Sequence, residues 1–77
     1  MPVDPIPEWV LQRRRTIGSR TRAARLDREL TQEQLAERVG LDRKTINRLE
    51  NGTYSPLVDH LLLVAQALGI DIADLLR

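Results

Sequence analysis

Residues 31–52 read TQEQLAERVGLDRKTINRLENG, and their pattern predicts two short helices joined by a tight turn. Thr31 is a favourable N-cap, and Gln34 three residues later completes a capping box. Gly40 stands where the first helix must end, because glycine adopts the left-handed conformation at little cost. Asp42 is placed to cap the second helix. The two helices are therefore expected to meet at a steep angle across this turn.

The second of these helices, predicted at about residues 42–51, has two different faces. Ile46 and Leu49 form its apolar face, which is expected to be buried. The polar side chains opposite them fall within an arc of about 140°, and they are Arg43, Lys44, Asn47 and Arg48. Arginine, lysine and asparagine are the side chains best suited to base edges and phosphates. This face is therefore a candidate nucleic-acid surface.

The segment resembles the helix-turn-helix of the lambda-repressor and Cro type, also called the xenobiotic-response-element-like regulators. The matching residues are Leu30-Thr31-Gln32-Glu33-Gln34-Leu35-Ala36, Val39-Gly40-Leu41, Thr45-Ile46, Leu49-Glu50-Asn51-Gly52, Leu61, Val64-Ala65, Ala67-Leu68-Gly69 and Leu75. The resemblance runs from about residue 17 to 76. It implies an all-α fold, a five-helix lambda-repressor-like DNA-binding domain whose first helix is extended at its N-terminus. We expect a flexible lead-in at 1–6 and a single domain at 7–77.

The resemblance implies a sequence-specific, double-stranded DNA-binding transcriptional regulator, and we expect a repressor. The residues it assigns to base reading are Arg43, Lys44, Thr45, Asn47 and Arg48. The residues proposed for phosphate contacts are Gln32, Arg43, Asn51, Thr53, Arg20 and Arg22. It also implies a structural pair, Arg25 with Glu50, which we expect to be partly exposed and to contribute about 0.5–1 kcal/mol.

One domain of this size reads only a few base pairs, so we expect a homodimer on a palindromic site. Apolar residues outside the expected core are candidates for the dimer surface, namely Trp9, Val10, Leu62, Leu63 and Leu76. The cluster around Trp9 has two interpretations, since it either folds back over its own domain or packs on a second subunit.

The charge distribution is uneven and favours a polyanionic partner. The net charge is +1, but residues 9–48 hold eleven basic and five acidic residues, whereas residues 49–77 carry a net charge of −3. A solvated basic face on the first helix would explain part of this excess. The basic excess and the basic face of residues 43–48 together favour DNA as the partner.

Several other classes of protein are disfavoured. The chain has no cysteine, which fits a reducing cytoplasm, and its longest apolar run, Leu61 to Ala65, is too short to span a bilayer. The single histidine, His60, has no evident catalytic or metal-binding partner. We therefore expect no enzyme activity, no metal, no cofactor and no small-molecule ligand. The N-terminal prolines argue against a signal peptide.

The remaining helices are predicted from local signals. Pro7 suits the start of a first helix that runs to about Glu29, either unbroken or divided near 16–18. Glu29 stands where the family usually has glycine, so the turn at Arg28–Leu30 is expected to be either strained or shaped differently. Ser55 and Pro56 are expected to begin the fourth helix. Its predicted buried stripe consists of Val58, Leu61, Val64, Ala65 and Leu68. A short fifth helix follows Asp71.

Two alternatives keep this fold and change the partner. The first is an antitoxin that binds both operator DNA and a toxin protein. The second is a module whose helix-turn-helix bridges proteins. Binding to random duplex should fall steeply with salt concentration if DNA is the partner.

Overall fold

The computed structural model describes residues 5–77, which form five α-helices and no strand. The helices are α1 (Glu8–Asp27), α2 (Gln32–Val39), α3 (Arg43–Asn51), α4 (Val58–Leu68) and α5 (Ile72–Leu76). This confirms the predicted five-helix, all-α class. Residues 1–4 of the predicted lead-in lie outside the described residues, and no helix in the described part of the chain is both long and apolar enough to cross a bilayer.

The first helix is a single unbroken element of 20 residues, so the first of the two predicted alternatives is confirmed and the division near 16–18 does not occur. Gly18 is buried where α1 crosses α3. A Cβ atom there would collide with the backbone carbonyl oxygens of Leu49 and Glu50. The glycine therefore allows two helices to approach closely, rather than ending one of them.

The turn after α1 has the strain that the sequence predicted as one of two alternatives. Within residues 5–77, Glu29 is the one residue other than glycine with a positive φ, at 56°. Its backbone N–H donates to the Leu26 carbonyl at 2.9 Å, and the Leu30 N–H donates to the Arg25 carbonyl at 3.1 Å. These bonds close the helix at a residue type that seldom adopts this conformation.

The predicted caps of α2 and α3 are confirmed. The Gln34 N–H donates to Thr31 Oγ1 at 3.0 Å, and the Thr31 N–H donates to Gln34 Oε1 at 2.8 Å, which completes the capping box. Gly40 ends α2 in the left-handed conformation, with φ at 75°. The Thr45 N–H donates to Asp42 Oδ1 at 2.7 Å and caps α3. Local signals alone therefore define this segment.

One apolar core joins the five helices. Its buried members are Leu30, Leu35, Ala36, Val39, Ile46, Leu49, Leu61, Val64, Ala65, Leu68 and Leu75. From α1 comes Thr21, which is fully buried and donates its hydroxyl to the Ile17 carbonyl at 2.9 Å. The polar group of Thr21 is thus satisfied locally, as buried polar groups usually are.

The fourth helix begins later than predicted, and its first residue is not part of the core. It starts at Val58 with Leu57 as N-cap, while Ser55 and Pro56 belong to the preceding loop. Tyr54 in this loop packs against the core. Val58 is 66% exposed, so the prediction that it is buried was wrong. It is the first residue of α4, and the buried stripe of this helix begins one turn later at Leu61.

The candidate residues for a dimer surface lie at the two ends of the chain and on α4. Trp9 is 69% exposed on the first turns of α1, so it does not cover its own domain. Val10 is half-buried. Leu62, Leu63 and Leu76 are all exposed. An Arg13 guanidinium nitrogen donates to the Leu76 carbonyl at 3.3 Å, which links the start of α1 to the end of α5.

Candidate nucleic-acid interface

The outer face of α3 is basic and open to solvent. Arg43, Lys44 and Arg48 are exposed, whereas Ile46 and Leu49 behind them are buried at 0% and 2% exposure. Among residues 5–77, none of the three cations forms an ion pair. Their charges are therefore available to an anionic partner.

The N-terminus of α3 carries one acidic group, which serves the helix itself. The side chain and backbone N–H of Thr45 hydrogen-bond to the Asp42 carboxylate and hold its pKa below its usual value. Lys44 and Arg48 add a smaller attraction in the same direction. Asp42 therefore remains ionised as a cap beside the basic face.

Thr45 and Asn47, which the resemblance also assigned to base reading, are half-buried. Thr45 is engaged at the Asp42 cap through its backbone N–H and its side chain. The Asn47 amide donates to Gln32 Oε1 at 3.3 Å, and its oxygen accepts from Asn51 Nδ2 at 3.2 Å. Asn47 is thus tied to the protein on both sides of its amide group.

The candidate phosphate-contacting residues at the start of α2 and the end of α3 lie beside this face. Gln32 is the first residue of α2, and its amide donates to Glu50 Oε1 at 3.2 Å. Asn51 and Thr53 are exposed at the end of α3, and the Thr53 hydroxyl donates to the Arg48 carbonyl at 3.3 Å. The Gln32 and Asn47 side chains join the first residue of α2 to the middle of α3.

The two candidate arginines of α1 point in different directions. They are two residues apart, so their side chains diverge by about 200° around the helix. Arg20 is half-buried with a buried Nη1 atom, and it lies two turns after Arg13, which contacts α5. Arg22 is exposed, one turn from Arg25, which contacts α3. Only Arg22 projects on the α3 side.

The predicted pair of Arg25 and Glu50 is present, but it is buried rather than partly exposed. Arg25 Nε donates to Glu50 Oε2 at 2.7 Å, and Arg25 Nη2 donates to Glu50 Oε1 at 2.9 Å. The two side chains are 8% and 1% exposed. The stability expected for a partly exposed pair therefore does not apply here. In a buried pair, removing one partner leaves the other charge unpaired and costs about 3–5 kcal/mol of folding stability.

A third hydrogen bond of Arg25 could not be foreseen from the pair alone. Its Nη1 donates to the Leu30 carbonyl at 2.7 Å, which holds the end of the strained turn after α1. The hydrogen bond to Glu50, opposed in part by burial, raises the pKa of Arg25 above its usual value. One side chain thus fixes both the helix end and the orientation of α3.

Sequence reasoning missed the roles of Gly18 and Tyr54. Gly18 lies three and seven residues before the buried Thr21 and Arg25, and that spacing on one helix face was the available signal for a close helix crossing. Tyr54 packs against the core with a buried hydroxyl that lacks a hydrogen-bond partner among residues 5–77, and burial raises its pKa. A lone tyrosine in a polar loop gave no comparable signal.

His60 is half-buried, and its Nδ1 atom has no hydrogen-bond partner within the described residues. In the same part of the chain, no three His, Cys, Asp or Glu side chains lie close enough together to hold a metal ion.

Comparison with known proteins identifies the family. The sequence pattern of the family described as Helix-turn-helix matches residues 22–75, from the last third of α1 into α5. The chain is similar to the immunity repressor protein of Bacillus phage phi105, with 43% identity over 58 residues that cover 75% of this chain and 40% of that repressor. It is also similar to the cryptic phage CTXphi transcriptional repressor RstR of Vibrio cholerae, with 34% identity over 58 residues. That match covers 75% of this chain and 52% of RstR.

The fold is also found in a solved structure. The restriction-modification controller protein C.AhdI from Aeromonas hydrophila superposes with a TM-score of 0.77 and 34% sequence identity, over 79% of this chain and 92% of that protein. The chain spans about half the length of the two repressors, so the comparison with them concerns the domain that they share. The chain belongs to the helix-turn-helix family of transcriptional regulators of the Cro/C1 type.

Proposed function

We propose that this chain is a sequence-specific, double-stranded DNA-binding regulator that acts as a repressor in the cytoplasm and inserts α3 into the major groove. The observation that carries the proposal is the exposed face of Arg43, Lys44 and Arg48, held from behind by the buried Ile46 and Leu49. Two relatives whose names call them repressors support that direction of control.

Base readout falls to the exposed side chains near the start and middle of α3. Arginine and lysine favour the O6 and N7 acceptors of guanine, so G·C pairs are expected in each half-site. Arg43, Lys44 and Arg48 are the principal readers, and Thr45 can contact a thymine methyl group. Asn47 lies on the same face, with both sides of its amide hydrogen-bonded within the protein.

Phosphate contacts supply the affinity that does not depend on sequence. The start of α2 offers Gln32 and free backbone N–H groups, which suit a phosphate at a helix N-terminus. Arg43, Asn51 and Thr53 provide further contacts along α3, and Arg22 provides one from α1. Arg20 lies on the side of α1 that faces away from α3, so it is not proposed as a phosphate contact.

A homodimer would give the specificity that one domain lacks. Two half-sites about 34 Å apart, one turn of B-DNA, would match a two-fold dimer on a palindrome. The exposed Trp9, Leu62, Leu63 and Leu76 are candidates for its surface, together with the half-buried Val10. Sedimentation with and without a palindromic duplex tests this, and a strictly 1:1 complex would count against it.

The direct test of DNA recognition is selection of bound sequences from a random duplex pool. We expect an enriched motif with G·C pairs and two-fold symmetry. Binding to unselected duplex should also fall steeply as salt concentration rises, because phosphate contacts release counterions. A binding affinity that does not change with salt, with no enriched motif, would instead favour the protein-bridging alternative. A complex that contains the chain, a toxin protein and DNA would favour the antitoxin alternative.

A further inference from the structure

A series of side-chain hydrogen bonds runs from the buried ion pair to the outer face of α3. Glu50 is held by Arg25, and its Oε1 atom also accepts from Gln32 Nε2 at 3.2 Å. Gln32 Oε1 accepts from Asn47 Nδ2 at 3.3 Å, and Asn47 Oδ1 accepts from Asn51 Nδ2 at 3.2 Å. We call Gln32, Asn47 and Asn51 the amide relay, which is anchored on Glu50.

The direction of every bond in the amide relay is set at Glu50. An ionised carboxylate only accepts hydrogen bonds, so Gln32 must turn its NH2 group toward Glu50 and its oxygen toward Asn47. Asn47 must then present its NH2 group to Gln32, which leaves its oxygen for Asn51. The orientation of the Asn47 amide is thus determined by groups of the protein.

This assignment conflicts with a role for Asn47 in reading bases. An asparagine that reads adenine presents its oxygen and its NH2 group together, to N6 and N7 of one base. Here the nitrogen is directed to Gln32 on α2 and the oxygen to the next turn of α3. The neighbouring Lys44 and Arg48 are exposed and have no such side-chain bonds among residues 5–77.

We infer that Asn47 is a positioning residue, which fixes α3 against the N-terminus of α2 through Gln32, and does not itself select a base. This rests on the proposed function, in which both helices face the same duplex. The bond between the two side chains sets the separation of the phosphate-contacting end of α2 from the base-reading face of α3. Its loss should weaken binding to all sequences alike.

The test is a double-mutant cycle with Asn47→Ala, Gln32→Ala and the double variant, measured on the selected duplex and on its single-base variants. Alanine is the strongest helix former, so these substitutions should leave the helices intact, which circular dichroism checks. Asn47→Ala should weaken binding roughly two- to tenfold, as for one hydrogen bond, and leave every base preference unchanged. In the Gln32→Ala background its effect should fall below about twofold, because the shared bond is already lost.

Lys44→Ala is the matched control on the same helix face. It should change the preference at one base pair and have the same effect with or without Gln32. The inference about Asn47 is overturned if Asn47→Ala alters the preference at one base pair, or if its effect is as large in the Gln32→Ala background as in the wild type. A wild-type chain that shows no sequence preference at all would instead refute the proposed function.

Discussion

At the scale of single residues, Glu29 is the position where side chain and backbone conformation agree least. Its φ of 56° lies in the left-handed region, where a residue with a Cβ atom is strained. The three positive-φ glycines among residues 5–77 occupy similar turns without this cost. The sequence predicted this turn because glutamate replaces the glycine that usually closes the first helix in the family.

Replacing Glu29 with glycine should therefore stabilise the domain by about 0.5–1 kcal/mol, part of the relief being offset by the greater freedom of glycine in the unfolded chain. Urea denaturation measures the change. Gly40→Ala is the matched control, because φ there is 75° and no other atom would touch the added Cβ. That variant should lose about 1 kcal/mol from backbone strain alone, and a Glu29→Gly variant no more stable than wild type would contradict the account of the turn.

At the scale of elements, the buried pair of Arg25 and Glu50 fixes α1 to α3. Arg25→Met leaves a carboxylate that is 1% exposed without its partner, so it should destabilise the domain by about 3–5 kcal/mol. Arg25→Met combined with Glu50→Leu removes both charges and should recover much of that loss. Chemical denaturation of the two variants decides the matter, and a loss below about 1 kcal/mol in Arg25→Met would show that the pair is not buried in solution.

The cap of α3 should make stability depend on pH. Asp42 has its pKa lowered in the folded state from the ordinary value of 3.8, chiefly by hydrogen bonds from Thr45. The stability that ionised Asp42 adds to the fold is therefore fully present when the pH is above that ordinary pKa. This stability is lost as the pH falls through the lower pKa that Asp42 has in the folded state.

Asp42→Asn is the control for this effect, because asparagine keeps a capping oxygen and does not titrate in this range. As the pH is lowered below about 4, the wild type should lose unfolding free energy relative to Asp42→Asn. Thermal melts across this range measure it. A difference that stays constant from pH 7 down to pH 3 would mean that the carboxylate does not act as the cap.

How far the sequence could predict the structure also differs between elements. The bounds of α2 and α3 were predictable, because each is set by a cap or a glycine within a few residues of the helix end. The start of α4 was not, since Leu57 at its N-cap makes no side-chain capping hydrogen bond and so provides no local signal. The basic face of α3 followed from helical periodicity. The link between Gln32 and Asn47 did not, because it requires the relative placement of two helices.

At the scale of the whole molecule, the charge asymmetry of the sequence corresponds to a division between helices. The basic excess of residues 9–48 covers almost all of α1, all of α2 and the first six residues of α3, whereas α4 and α5 lie in the segment of net charge −3. A duplex would therefore be attracted to the first three helices and weakly repelled by the last two. In the proposed complex this long-range field would orient the encounter, and the side chains of α3 would then distinguish one sequence from another.

If the exposed side chains of α3 read base pairs, their loss must change base preference, and Arg48→Ala is the decisive variant. Affinities for the selected duplex and each of its single-base variants should show that Arg48→Ala loses preference at one base pair, with a cost of about 1–3 kcal/mol on the preferred sequence. Arg38→Ala, which removes an equal charge from the exposed end of α2, should keep every preference. If Arg48→Ala instead weakened binding to all sequences equally, as loss of a phosphate contact would, the claim that this side chain reads bases would be contradicted.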